Sequence, residues 1–454
     1  MSKRKIIILV SIALAVTAYA VFDSIGRPAG EERQALDLAM INAEVVPDFG
    51  ATTETIGFFT DRVKRHPQDV VSLTMLGQRY INQARETGDV AGYQRAEAAL
   101  LNGLVLLPAY TPAEARLASV YYAQHRFAEA LELAEQVYER DPEGTAGLAT
   151  IGDSHLALGN YTEAREAYQQ LLRKGSTAPL LARIAQLDYL EGKTESALKL
   201  MERAAVEGLK SSPSRENVAW YLTRLGDLYF NAGRIDEAWR HYDAASRVFN
   251  NYYLTLAGKG KVRAAQGRYD EAIALYERAA DVVPQPVTLA ALGDLYAKIG
   301  DGAQAQVEYD TVEFIAGLAV INEQVYNRTL VLFYADHDIK TEKALELARK
   351  ELSGRKDIYG YDALAWALFR NDKMEEAAEA ITRAMALGTQ DANLYFHSGM
   401  IHNGLGNTGL AREHLRHALE LNPGFSVLNA DVARATLEHI EGQALGISAK
   451  ASTS

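Results

Sequence analysis

One short pattern recurs along this chain at a nearly fixed interval. The segments HRFAEALELAEQV (125–137), GNYTEAREAYQQL (159–171), GRIDEAWRHYDAA (233–245) and GRYDEAIALYERA (267–279) align as the same helix start. Their anchor is an alanine that returns at Ala96, Ala130, Ala164, Ala197, Ala238, Ala272, Ala305, Ala344, Ala377 and Ala411, and seven of the nine intervals are 33 or 34 residues. Before most of these alanines a small residue follows an apolar one, as in Ile151-Gly152, Leu225-Gly226 and Leu292-Gly293. Such a period holds two helices but no core of its own, so each unit buries its apolar face only by stacking on its neighbours. The 454 residues therefore read as one array rather than as three conventional domains.

The pattern resembles the tetratricopeptide repeat family, whose unit of about 34 residues carries a large apolar residue, Leu-Gly, Tyr, Ala, Phe or Tyr, Ala and Pro at fixed offsets. From Ala219 to Val248 the chain has Leu225-Gly226, Tyr229, Ala238, Tyr242 and Ala245 in those places. Pro108, Pro142, Pro284 and Pro423 stand where a second helix must stop. The resemblance implies an all-α, right-handed superhelical solenoid of about ten helix-turn-helix units over residues 70–425. Capping helices are expected at 53–69 and 426–443, and a flexible tail at 444–454. Leucine replaces the family's tryptophan at Leu73, Leu148, Leu181, Leu222, Leu256 and Leu289, which keeps the packing apolar. Extra residues at Thr87–Tyr93 and Lys210–Ser214 are expected as loops, and the eighth unit, around Asn322–Ser353, fits poorly in its first helix.

The start of the chain follows a different rule. Lys3, Arg4 and Lys5 precede a 17-residue stretch, Ile6–Phe22, that carries no charge. Residues 1–22 therefore read as a targeting segment. Ala18-Tyr19-Ala20 offers a signal peptidase its small residues, while the stretch is just long enough to span a thin bilayer, so signal peptide and signal anchor both stay open. Either version places the rest outside the cytoplasm, in the periplasm or cell envelope. Residues 23–52 read as a connector, helical around Glu31–Ala43.

Composition removes several function classes. There are 59 acidic against 47 basic residues, a net charge of −12, and no basic run after residue 5, which argues against a nucleic-acid partner. With no cysteine there is no disulfide, thiol nucleophile or thiolate metal site. The glycines at 404, 406 and 409 spell G-x-G-x-x-G, but both neighbours read as helices, so turn geometry explains them without a nucleotide. No nucleophile or metal with an oriented base is legible, and a non-enzymatic chain without cofactors is expected.

In the resembled family the concave groove is lined by the first helices. Reading those positions here gives the candidate partner-binding residues Tyr122, Asp153, Tyr189, Trp220, Asp227, Phe230, Asp294, Trp366 and Phe369. The three aspartates recur at one position and are expected to select basic residues in an extended segment, with the aromatics as apolar anchors. His402, His414 and His417 form a candidate metal cluster without a convincing carboxylate. The expected function is an extracytoplasmic scaffold or adaptor that binds protein or peptide segments for an envelope complex. A metal-handling protein using the histidines and a self-assembling structural protein are the alternatives.

Overall fold

The computed structural model describes residues 52–211, 214–321 and 327–451, so the targeting segment and nearly all of the connector lie outside it. Among the described residues there are helices and no strands. A lone helix, α1 (Thr52–Arg65), precedes ten helix pairs. The first five are α2 (Val70–Thr87) with α3 (Ala91–Leu106), α4 (Thr111–Ala123) with α5 (Phe127–Arg140), α6 (Ala146–Ala157) with α7 (Tyr161–Lys174), α8 (Ala178–Leu190) with α9 (Thr194–Ser211), and α10 (Arg215–Asn231) with α11 (Ile235–Val248). The next five are α12 (Tyr253–Ala265) with α13 (Tyr269–Val282), α14 (Pro286–Lys298) with α15 (Gly302–Ile321), α16 (Asn327–Asp336) with α17 (Thr341–Gly354), α18 (Ile358–Phe369) with α19 (Met374–Ala384), and α20 (Ala392–Gly404) with α21 (Thr408–Leu421). A last helix, α22 (Asn429–Ala451), closes the series. None of the described helices is long and apolar enough to cross a membrane.

The anchor alanines mark where the two helices of a unit cross. Nine of the ten are 0% exposed and Ala305 is 3% exposed. On the facing helix, a Cβ added at Gly152, Gly226 or Gly293 would come within 2.3, 2.7 and 2.4 Å of the rings of Tyr168, Tyr242 and Tyr309. A methyl group at these glycines would drive the helices apart.

The irregular intervals lengthen helices rather than loops. Of Thr87–Tyr93, Thr87 ends the 18-residue α2 and Ala91–Tyr93 begin α3, so that residues 88–90 alone are non-helical; Lys210 and Ser211 belong to the 18-residue α9, and α15 is 20 residues long against 14 for α5, α7, α11 and α13. Once a helix is nucleated each added residue gains a hydrogen bond, and α2 runs on until Gly88 caps it with φ +68°. The tail expected from residue 444 likewise continues α22 as helix to Ala451.

First helices of consecutive units pack on one another, as α4 does on α6 and α16 on α18, whereas second helices of consecutive units scarcely touch. The array therefore curves with its first helices inside, an all-α superhelical solenoid. After about six units it meets itself. Ile358 N–H donates to the Tyr161 hydroxyl (2.8 Å), Asn422 Nδ2 donates to the Phe230 carbonyl (2.8 Å), and the Thr389 hydroxyl donates to the Leu190 carbonyl. These pairs lie 197, 192 and 199 residues apart. Turns within units three to five thus rest on the linkers that follow units eight to ten, forming a seam between successive superhelical turns.

Three glycines permit that approach. Gly159, Gly192 and Gly233 have φ of +81°, +73° and +70°, and a Cβ on them would lie 2.5, 2.4 and 2.3 Å from the carbonyl oxygens of Lys356, Gly388 and Leu421. Gly267 occupies the matching turn of the sixth unit with φ +71° but has nothing within 4 Å of an added Cβ. Gly267→Ala is expected to cost only the left-handed backbone penalty, about 1–2 kcal/mol. Gly192→Ala carries the same penalty and in addition opens the seam. Small-angle scattering on the two variants should show a larger radius of gyration for Gly192→Ala alone at unchanged helix content; equal dimensions would mean that the seam does not hold the turns together.

Candidate functional site: the inner wall

The three recurrent aspartates are consumed by the wall itself. Each follows the glycine beneath a tyrosine ring, and each accepts that tyrosine's hydroxyl from 15 residues further on: Tyr168 to Asp153 at 2.8 Å, Tyr242 to Asp227 at 2.7 Å and Tyr309 to Asp294 at 3.0 Å. A basic side chain on the following unit's first helix, or just beyond its end for His337, completes each group. Arg183 reaches Asp153 at 2.8 Å, Lys261 reaches Asp227 at 3.5 Å and His337 Nε2 reaches Asp294 at 2.8 Å. Arg224 adds a second contact to Asp227 at 2.9 Å. The carboxylate side chains are 17–21% exposed.

Charge pairing fixes the protonation of these groups. Burial would raise the pKa of Asp227, but Lys261 and Arg224 outweigh it and hold the carboxyl below its ordinary value. Burial, reinforced by Asp153 and Asp227, pushes the phenols of Tyr168 and Tyr242 well above their usual range, so they remain donors. Burial alone would lower His337, yet Asp294 raises it. The expectation that these aspartates select basic ligand residues is corrected: their charges are neutralised across the joint between units.

The aromatic candidates divide. Trp366 is 0% exposed, donates Nε1–H to Asp336 Oδ1 at 2.9 Å, and stacks on Phe369 (5.0 Å between ring centres) and His397 (4.5 Å). It is a core residue, not an open anchor. Tyr189 and Phe230 are also buried, both at the seam: Tyr189 accepts from Asn231 Nδ2 at 3.1 Å and lies 3.4 Å from Asp391, while Phe230 offers its carbonyl to Asn422. Tyr122 is half-buried against Phe127, and burial with the nearby Asp153 pushes its pKa up to about 12. Trp220 and Phe369 remain part-exposed. Beside them on the wall are Arg224, 5.7 Å from the Trp220 ring centre, and Arg370, 4.6 Å from that of Trp366. Arg370 has no ion-pair partner among the described residues, and its Nε is buried without an acceptor.

The structure thus brings together Tyr122 with Asp153, Trp366 with Phe369, and Asp227 with Phe230 through Lys261 and with Trp220 through Arg224. Lys261 is legible in the sequence as a groove position, but its pairing with Asp227, the partners Arg183 and His337, and the seam residues Tyr161, Thr389 and Asn422 are not. A Gly-Asp pair with tyrosine 15 residues after the aspartate, present three times, was the available signal for the first group.

The histidine candidates are engaged separately. His414 Nδ1 lies 2.8 Å from the Ser398 hydroxyl, His417 Nε2 lies 2.9 Å from Gln390 Oε1, and the rings of His402 and His414 are 5.8 Å apart. Among the described residues no group of three or more His, Asp or Glu is gathered closely enough to hold a metal ion.

Comparison with known proteins agrees with this architecture. A profile of the tetratricopeptide repeat family matches residues 115–179 and 223–286, and a second matches residues 392–425. This chain is a tetratricopeptide repeat protein. It is similar to anaphase-promoting complex subunit cut9 of Schizosaccharomyces pombe, 25% identical over 232 residues, which cover 49% of this chain and 33% of that protein. It is also similar to BBSome complex member BBS4 of Bos taurus, 23% identical over 321 residues, covering 68% of this chain and 57% of that one. The chain therefore spans between 33% and 57% of the length of these relatives. Among solved structures it resembles the human IFIT1 dimer with PPP-AAAA (TM-score 0.46, 15% identity, 86% of this chain and 94% of that one). It also resembles the Cut9-Hcn1 hetero-tetramer (TM-score 0.33, 13% identity, 92% and 98%).

One buried pair on the wall gives a pH-dependent test. His397, 2% exposed, contacts Asp362 through Nδ1 at 2.8 Å. Burial favours the neutral ring, but Asp362, and then Asp336 and Asp391, outweigh burial and raise the pKa. The stabilisation from this pair is therefore fully present below the ordinary histidine value of about 6.5 and is lost as pH rises through the higher folded value. Asp362→Asn is expected to cost about 3 kcal/mol at pH 6, measured by urea unfolding, and less at each step above the folded value. A cost independent of pH would show that the pair is not ionised.

Proposed function

We propose that this protein is a non-enzymatic scaffold that binds an extended protein segment along its inner wall. The observation that carries the reading is the division among the wall residues. Asp153, Asp227 and Asp294 spend their charge fixing the joints between units, whereas Trp220, Phe369 and Arg370 stay accessible. A wall already rigid before binding loses little conformational freedom when a ligand arrives. Part-exposed tryptophan and arginine are the side chains that contribute most per residue at protein interfaces. The relatives support the same class: the one is named as a subunit of the anaphase-promoting complex and the other as a member of the BBSome complex, both components of larger assemblies.

With the aspartates paired, the unpartnered charge beside Trp366 and Phe369 is the Arg370 guanidinium, which selects an acidic rather than a basic residue in the bound segment. The basic residues before an uncharged stretch at 6–22 support an extracytoplasmic location and an envelope complex as the setting.

The test is in-cell cross-linking of the tagged full chain beside Trp220→Ala and Arg370→Glu variants. Each substitution is expected to reduce partner recovery by about tenfold or more while helix content is unchanged. Retention of the same partners in both variants would sink the groove assignment, and recovery of only the chain's own copies would favour self-assembly.

A further inference from the structure

On the second helices, the residues two and nine places after the anchor alanine lie on one outward stripe, because seven residues are close to two turns. In four units both positions are charged and exposed: Glu132 and Glu139 on α5, Glu166 and Arg173 on α7, Arg240 and Arg247 on α11, Glu413 and Glu420 on α21; four more units carry one charge there, and α3 carries Ala98 and the exposed Val105. On α15 they are Val307 and Phe314, and Leu318 continues the stripe one turn further. These side chains are 54, 66 and 41% exposed. The opposite face of α15 already buries Ala305, Val312 and Ala316 against the array, so the helix is apolar on both sides. A helix of that kind is ordinarily covered on both sides, and exposed Phe with neighbouring Val and Leu marks an interaction site.

The edges of the stripe are acidic and uncompensated. Glu308 borders it on one side and Asp310 on the other, and neither has a Lys or Arg partner among the described residues. Asp310 accepts only from Gln306 Nε2, at 2.8 Å, and Glu277 accepts from the Tyr296 hydroxyl at 2.7 Å. Burial and the proximity of Glu277 raise the pKa of Glu308, as expected where carboxylates crowd without a cation. At the starts of three other second helices an acid is matched by a cation three residues before it: Arg126 with Glu129, Arg268 with Glu271 and Lys343 with Glu346.

We infer that the outer face of α15 docks a basic amphipathic helix of a partner protein. The stripe from Val307 to Leu318 spans 12 residues, about three helical turns, and so accepts a partner helix of similar length with its apolar row facing Phe314 and Lys or Arg at its margins. The charge argues for this occupant over others: a second copy would set acid against acid, and an anionic lipid surface would be repelled by Glu308 and Asp310. This surface is separate from the groove and does not depend on it.

The test uses the purified full chain and a fluorescein-labelled helical peptide of leucine and lysine about 18 residues long, apolar on one face, beside its leucine–glutamate counterpart. Fluorescence anisotropy is expected to show saturable binding of the lysine peptide. That binding should be weakened about tenfold or more by Phe314→Glu and by the pair Glu308→Lys with Asp310→Lys, weakened by salt, and unchanged in Trp220→Ala. The charge pair keeps the test decisive if Phe314→Glu alters the fold. Equal affinity for the glutamate peptide, or full affinity in the charge pair, would overturn the proposal. So would anionic vesicle binding or a sedimenting dimer that Phe314→Glu abolishes, since each names another occupant.

Discussion

Everything in this molecule depends on how closely two helices cross within each unit. The crossing is set by what is missing there: a side chain beyond Cβ at the anchor alanines, and any side chain at Gly152, Gly226 and Gly293, into whose place the rings of Tyr168, Tyr242 and Tyr309 fit. Because the same small residues recur, each unit adds nearly the same rotation, and the errors that would accumulate over about six units remain small. Only then do the turns at Gly159, Gly192 and Gly233 arrive at the carbonyls of Lys356, Gly388 and Leu421 within backbone contact. A larger residue at a crossing would act far from its own site, by misaligning a seam almost 200 residues away.

The seam changes what kind of solenoid this is. In an open array each unit touches only its neighbours, and stability is close to a sum of nearest-neighbour terms. Here Asn422 and Thr389 tie the end of the array to carbonyls in its middle. Units three to ten are therefore coupled both along the chain and across it. The Asp, Tyr and basic-residue groups work in the same direction at shorter range, since each joins two helices of one unit to the first helix of the next or, at His337, to the turn that follows it. A buried carboxylate left without its cation would cost several kcal/mol, so the joint has little freedom to open.

Those couplings also explain which residues were legible in the sequence. The alanine interval, the Leu-Gly pairs and the terminal prolines act within a unit, at fixed offsets, and they led to the helix pairs. Tyr189 and Phe230 occupy groove positions in a single turn of superhelix, but their surroundings come from Asp391 and Asn422, which no repeat register places beside them. The cations Arg183, Lys261 and His337 stand 30, 34 and 43 residues after their aspartates, a spread that hides the pairing behind helices of unequal length. Trp366 was misplaced for a different reason: Asp336 in the preceding unit and His397 in the following one enclose it from both sides.

Packing constrains the two surfaces of the array unequally. First helices of consecutive units press on one another, so the inner wall must satisfy shape, charge and seam at once, and few of its residues are left free for a ligand. Second helices scarcely touch from unit to unit, and nothing in the fold dictates what their outward stripes carry. Most carry charge, which is what solvent alone would favour. Val307, Phe314 and Leu318 therefore have no architectural reason to be apolar: Ala305, Val312 and Ala316 already supply the buried face of α15, and the same outward positions on α11 are filled by Arg240 and Arg247 without loss to the packing. A feature that the architecture does not require and that water disfavours has its explanation outside the chain.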